Sequence, residues 1–230
     1  VRDDLTMRVP RVMAVARPLK QVLTNYPEDR VETLDAPLYP HDVPKTGSRP
    51  VPFSRELWIE RDDFMENPPK KFFRLAPGRE VRLRYGYLVT CTDVIKDAAG
   101  EVVEVHATYD PATRGGDAPD GRRVQGTIHW VSAGQAVDCE LRLYDRLFAV
   151  PEPEALPEGR DFVAALNPES LVTVRGAKVE PSVALDPPGT RYQFERTGYF
   201  ISDPVDTREG GLVFNRTVAL RDSWAKVKDK

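Results

Sequence analysis

Three histidines, two cysteines and several clusters of arginine are the residues of this sequence best equipped for chemistry. His129 and Ser132, in His129-Trp130-Val131-Ser132, come nearest to a nucleophile and its base. Three positions apart on a strand, their side chains point to opposite faces, which disfavours a working Ser–His pair. His41, His106 and His129 are scattered and lack the close-spaced ligand pair of a zinc site. Cys91 and Cys139 lie far apart, each in an apolar-alternating stretch. They read as buried reduced thiols of a cytoplasmic protein rather than as a disulfide or metal pair. The P-loop, the dinucleotide-binding glycine fingerprint, the HExxH zinc motif and the GxSxG elbow are all missing from the sequence. The arginines remain. Lys70, Lys71, Arg74, Arg79, Arg82 and Arg84 form a basic run broken by Glu80, and Arg114, Arg122 and Arg123 punctuate a loop rich in glycine and aspartate. Such clusters either coat a solvated face or meet a polyanion. Arg114-Gly115-Gly116-Asp117 reads as a surface turn, with a phosphate cradle as the alternative.

The composition limits what could position these residues. The 230 residues carry a net charge of −3, with 33 Lys and Arg against 36 Asp and Glu. A non-specific nucleic-acid binder usually has a basic excess, so a polyanion must here meet a local basic face. The longest apolar runs are only a few residues, against about 20 for a membrane helix. Val1-Arg2-Asp3-Asp4 puts charge where a signal peptide needs apolar residues, and the first Met is Met7. The chain reads as a piece of a longer polypeptide, with no membrane partner.

Prolines number 21, about twice the usual share, and recur between apolar segments. They favour short strands joined by loops. Val81, Leu83, Tyr85, Tyr87, Val89 and Cys91 alternate with mostly polar residues, as in one long half-buried strand. A turn at 96–100 and a β-rich segment from Val102 to Tyr109 complete a hairpin. Further strand-like segments are Val124 to Val131, Val137 to Val150, Leu171 to Val174, Tyr192 to Ser202 and Leu212 to Leu220. Leu19, Val22, Leu23 and Tyr26 have helical spacing after Pro18, and single helical turns fit Arg61 to Met65 and Asp161 to Leu166. The expected fold is all-β, a sandwich or barrel with short helical turns. A proline-rich linker at Pro151 to Gly159 divides the chain into a region over 1–150 and a smaller one over 151–230.

Several stretches, in order, are similar to the C-terminal anticodon-binding region of glutaminyl-tRNA synthetases. They are Arg11 to Val15, Gly47 to Ser54, Arg122 to Ser132, Arg146 to Phe148, Asn167 to Leu171, Gln193 to Arg196, and Phe214 to Lys226. The resemblance covers nearly the whole chain. It implies two β-barrels, one over 1–150 and one over 151–230, with the C-terminal strands returning toward the first. It also implies that Pro18 to Tyr26 is extended despite its spacing, and that the ligand is the anticodon loop of tRNA-Gln, not DNA. The HIGH- and KMSKS-type sequences with which class I synthetases activate their amino acid do not occur here. The resemblance therefore implies no catalytic residue, cofactor or metal in this chain. ATP and glutamine would bind a catalytic domain that lies outside it and would be its partner.

By resemblance, Arg11, Gln193 and Arg196 converge on the middle anticodon base, a uracil. An unpaired uracil shows two carbonyl acceptors and one N–H donor on its pairing edge. A guanidinium donates only, while a glutamine amide both donates and accepts. Gln193 and Arg196 are three apart, so a bend between them is required if they share a target. The loop from Arg114 to Gln125 corresponds to the family's basic loop for the flanking bases and phosphates, with Arg122 and Arg123 foremost and Arg114 behind. Tyr85 stands where a familiar relative has asparagine and offers a ring for stacking. Gln125 replaces a common lysine and removes a charge. Three alternatives stand beside this reading: the equivalent region of an archaeal- or eukaryal-type glutamyl-tRNA synthetase, a β-sandwich hydrolase using His129 and Ser132, and a protein–protein module whose basic runs are only solvated surface.

Overall fold

The computed structural model describes residues 2–154, 161–208 and 210–220. After a short helix α1 (Arg2–Arg8), the chain runs through β1 (Arg11–Val12), β2 (Ala14–Val15), β3 (Pro18–Leu23), β4 (Glu32–Pro37), β5 (Ser48–Phe53) and β6 (Glu56–Glu60). Next come β7 (Glu80–Leu83), β8 (Leu88–Lys96), β9 (Val102–Asp110), β10 (Thr127–Ile128) and β11 (Trp130–Ser132). The remainder is β12 (Val137–Tyr144), β13 (Leu171–Val179), β14 (Arg191–Phe194), β15 (Gly198–Ser202) and β16 (Leu212–Ala219). Short 3-10 turns fall at Arg61–Asp63 and Phe162–Ala165, where single helical turns are expected from the sequence.

Two seven-stranded sheets curl into nearly closed barrels, and β4 pairs with β5 in a separate ribbon. The first barrel has the order β10-β7-β8-β9-β3-β6-β11 and the second the order β1-β14-β15-β16-β12-β13-β2. Each order begins and ends on one continuous stretch of chain. β10 and β11 are separated only by His129, and β1 and β2 only by Met13. One stretch thus pairs on both sides and joins the two ends of its sheet.

The stretch that closes the second barrel is also the seam between the two. Successive side chains on a strand point to opposite faces. Val12 and Ala14 accordingly enter the core of the second barrel, while Met13 and Val15 enter that of the first. The first core is built around Tyr26, Phe53, Tyr87, Tyr109 and Trp130, whose rings meet mainly edge-to-face with centroids 5.0–5.3 Å apart. In the second core Phe194 stacks on Phe200 at 4.4 Å.

Several expectations need correction. The alternation from Val81 to Cys91 does not make one strand; the chain reverses over Arg84–Tyr87, where Tyr85 takes a left-handed φ of 64°. Tyr192 to Ser202 is likewise a tight hairpin, with Arg196 at φ 64°. Val124 to Val131 becomes β10 and β11, and β12 stops at Tyr144 rather than Val150. Pro18–Leu23 is a strand despite its helical spacing, because pairing with β6 and β9 buries its apolar side. The sheets also do not divide at 150/151. β12 belongs to the second barrel, as do β1 and β2 from the far end of the sequence. The last described strand, β16, lies between β15 and β12 in the second barrel and does not return to the first. Residues 155–160 of the expected linker and 221–226 of the matched tail lie outside the described residues.

Candidate nucleic-acid interface

The seam is held by buried charges. Arg49, on β5, is 4% exposed and donates through Nε and Nη2 to Glu180 at 2.6 and 2.7 Å, and through Nη1 to the Pro37 carbonyl at 2.9 Å. Glu180, just after β13, also accepts the Met13 backbone N–H at 2.8 Å. Glu195 follows β14 and is equally buried. Its carboxylate accepts the Tyr85 hydroxyl at 2.6 Å, pairs with Arg84 and lies 3.5 Å from Arg49. Taking a carboxylate out of water is costly unless donors and cations surround it, as they do here. Tyr85 is thereby fixed. Its ring faces the guanidinium groups of both Arg49 and Arg84, and burial together with the Glu195 carboxylate holds its phenol above its ordinary pKa.

Of the three residues expected to read the middle base, two are in contact. Parallel pairing of β1 and β14 sets Arg11 opposite Gln193, and Arg11 Nε donates to Gln193 Oε1 at 3.1 Å. Both side chains are part-exposed, and the terminal nitrogens of Arg11 have no hydrogen-bond or ion-pair partner among the described residues. Arg196 sits in the turn between β14 and β15, and its guanidinium crosses to the first barrel. It forms a fork with Asp63, through Nη1 and through Nη2 at 2.7 Å, and its Nη1 lies 2.9 Å from His129 Nδ1. The bend required between Gln193 and Arg196 is therefore a hairpin turn with one left-handed residue. The turn sends Arg196 away from the Arg11–Gln193 contact and into a cleft lined by Arg17, Arg74, Val174, Thr197 and Arg216.

The glycine-rich loop is organised differently. Arg122 donates to Glu80, Asp110 and Asp120 at 2.5–3.0 Å, and these carboxylates push its pKa further up. Arg114 donates to Glu32 and to the Thr33 carbonyl, both at 3.0 Å. Arg123 and Gln125 are exposed and have no hydrogen-bond partner among the described residues. Arg82 fills the inside of the loop and donates to the carbonyls of Gly86, Thr113 and Gly116. The Gly116 carbonyl of the loop is thus turned toward Arg82, whereas a phosphate cradle needs N–H groups. At its far end Gly126 passes so close to the Phe73 backbone that a Cβ there would lie 2.3 Å from the Phe73 carbonyl oxygen.

Sequence reasoning missed Asp63, Glu180 and Glu195, the buried carboxylates that hold the arginines in place. No local signal marks them: Asp63 lies in the charged run Glu60-Arg61-Asp62-Asp63, and Glu195 stands between Phe194 and Arg196, so their burial arises only where the barrels meet. Ser132 bonds to Ser54 at 2.6 Å and Gln135 at 2.5 Å, while His129 faces Arg196, so the two do not form a nucleophile pair. Both cysteines are buried and unpaired, and burial pushes their thiols up to about 11 for Cys91 and about 12 for Cys139. Neither supplies a thiolate for chemistry.

An all-β recognition module is what this arrangement defines: two barrels share a rigid charged seam and hold arginine and amide donors at part-exposed positions beside it. Comparison with known proteins gives the class its name. Residues 9–110 and 127–203 match two families that share one description, the anticodon-binding domain of class I (E and Q) tRNA synthetases. The chain belongs to this anticodon-binding domain family. It is 59% identical over 227 residues to a glutamine–tRNA ligase of Nitrobacter hamburgensis, covering 99% of this chain and 39% of the relative. Glutamine–tRNA ligases of Bradyrhizobium diazoefficiens and Pseudomonas putida are each 54% identical, over 98% and 97% of this chain and 39% of each relative. The chain therefore spans about two-fifths of the length of these curated relatives. Their shared name does not favour the glutamyl alternative. Among the described residues no helix is long and apolar enough to cross a membrane.

Proposed function

We propose that this chain recognises the anticodon loop of tRNA-Gln as the specificity region of a glutamine–tRNA ligase acting in the cytoplasm. ATP and glutamine would bind a catalytic domain outside these residues, which would be the chain's protein partner. The contact of Arg11 with Gln193 is the observation that carries the reading. Because Arg11 Nε already donates to Gln193 Oε1, the amide nitrogen of Gln193 and the terminal nitrogens of Arg11 are the donors left for a ligand. A pair rich in donors suits one carbonyl oxygen of an unstacked uracil, the second lone pair of Oε1 can take its N3–H, and the other carbonyl is left for a further donor. Arg196, on the adjoining turn, adds further donors, while Arg123 and Gln125 lie exposed for flanking phosphate or base. Specificity follows from mismatch: a wrong base covers these part-exposed donors on binding without supplying them acceptors.

Binding of this chain to tRNA-Gln, set against the same tRNA with the middle anticodon base changed, tests the proposal. A weakening of about tenfold or more is expected for the altered RNA. Equal affinities would refute base reading. Glutamine-dependent ATP–pyrophosphate exchange by the chain alone should be undetectable, and clear turnover would place the active site here instead.

A further inference from the structure

The environment of Arg196 is built more carefully than a surface arginine requires. Asp63, at the end of the 3-10 turn after β6, is 1% exposed, and its two oxygens accept from the two terminal nitrogens of Arg196. Arg74 Nε lies 3.3 Å from Oδ1 of the same carboxylate. His129, the residue that closes the first barrel between β10 and β11, is 3% exposed, and its Nδ1 is 2.9 Å from Arg196 Nη1. A guanidinium carries no lone pair, so Nδ1 must accept and the ring proton must sit on Nε2. Burial favours this neutral ring and lowers its pKa to about 4. Asp63 and His129 together occupy both hydrogens of Nη1 and one of Nη2. The Nε–H and the second Nη2–H remain, and these lie side by side on one edge of the guanidinium. The Arg196 side chain is 25% exposed and lines the cleft between the barrels.

We infer that Asp63 and His129 are positioning residues that lock Arg196 so that only its Nε/Nη2 edge is offered to the middle anticodon base, and that this lock sets discrimination of uracil from cytosine. The inference rests on the proposed role of Arg196 in base reading. Uracil carries a carbonyl oxygen where cytosine carries an amino group. A mobile arginine could swing away from a cytosine amino group and let it bind water. A locked one cannot, so two donors confront a donor and both are left unpaired in a partly desolvated cleft. The left-handed backbone at Arg196 fits this role, since a non-glycine residue adopts that conformation at a cost that local contacts must offset.

The test uses the full chain and two anticodon stem-loop RNAs that differ only by uracil or cytosine at the middle position. The readout is the ratio of the two dissociation constants. Asp63→Asn and His129→Phe should each lower that ratio about tenfold, mainly by tighter binding of the cytosine RNA. His129→Asn keeps an acceptor near Nδ1 and should keep the ratio, a rescue that loss of packing alone would not produce. Thermal melting of each variant separates loss of fold from loss of discrimination. If Arg196→Ala abolishes the ratio but Asp63→Asn and His129→Phe preserve it, the positioning role is refuted and base reading by Arg196 stands. If Arg196→Ala also leaves the ratio intact, the reading beneath the inference fails with it.

Discussion

The turn at Glu195–Thr197 and the loop at 114–125 both present arginines, but they restrain them in opposite ways. Arg196 is tied to Asp63 and His129, both buried, and its neighbour Glu195 is buried against Arg49, Arg84 and Tyr85. Arg122 is tied to Glu80, Asp110 and Asp120, of which the least exposed still keeps 23% of its side-chain surface in water. A pair shielded from water keeps its geometry whatever the ionic strength, whereas a wet pair is weakened by salt and can exchange one anion for another. The first region is thus suited to direction, for hydrogen bonds to a base edge. The second is suited to exchange, giving up a carboxylate to meet a phosphate. Burial of the partner, more than the arginine's own exposure, separates the two.

The largest effects should come from the buried region. Arg49→Ala leaves Glu180 buried without its ion pair and should cost about 3–5 kcal/mol of unfolding free energy, measured by urea denaturation. A loss under about 1 kcal/mol would mean the seam tolerates water and would erase the contrast with the loop. Acid should act through His129. Its folded pKa of about 4 lies below the ordinary value of 6.5, so the unfolded chain binds the extra proton first. Stability from this group is complete above about pH 6.5, falls as the pH drops, and levels off below about 4, a loss of about 3 kcal/mol. The protonated ring would also face the Arg196 guanidinium where it now accepts a hydrogen bond. His129→Asn should flatten that part of the pH–stability curve.

Arg196→Ala sharpens the comparison because it touches both stability and binding. It should weaken cognate RNA binding by about 1–3 kcal/mol in a titration at fixed salt. If Arg196 acts by direct hydrogen bonding rather than by phosphate attraction, the slope of log affinity against log salt should stay nearly unchanged. A markedly shallower slope would move Arg196 into the electrostatic class of the loop.

What the sequence reveals and conceals follows the same division. The strands are legible because alternation is local: in Val102 to Tyr109 the buried Val105 and Ala107 alternate with Glu104, His106 and Thr108. Turns that rely on glycine announce themselves, as at 97–100, where Gly100 takes φ 84°. The turns at Tyr85 and Arg196 do not, because a left-handed tyrosine or arginine is held by distant contacts and not by its own preference. Val81 to Cys91 therefore passes for a single strand. Sheet membership is concealed for a similar reason. Arg11 pairs with Gln193 across 182 positions, and nothing local to either residue says so. Of the site, Arg11, Gln193 and Arg196 emerge through family resemblance, whereas Asp63 and His129 become partners of Arg196 only once the two barrels meet.

The smallest expected effect belongs to the exposed loop, and it bears most directly on the contrast. Replacing Arg122 and Arg123 together by alanine should leave thermal melting nearly unchanged, since exposed ion pairs contribute little to stability. The ratio of affinities for RNAs differing at the middle base should also persist, because neither residue is part of the Arg11–Gln193 contact or the Arg196 lock. The change should appear in the salt titration, where each lost phosphate contact lowers the slope by about one. Arg122 starts from an internal ion pair, so its release costs the three carboxylates their partner. Its share of the slope change should be smaller than that of Arg123, which has no such partner among the described residues. Single variants separate the two. A larger slope change from Arg122→Ala than from Arg123→Ala would show that Arg122 gives up its carboxylates readily, and that a wet three-way pair restrains an arginine even less than the contrast drawn here requires.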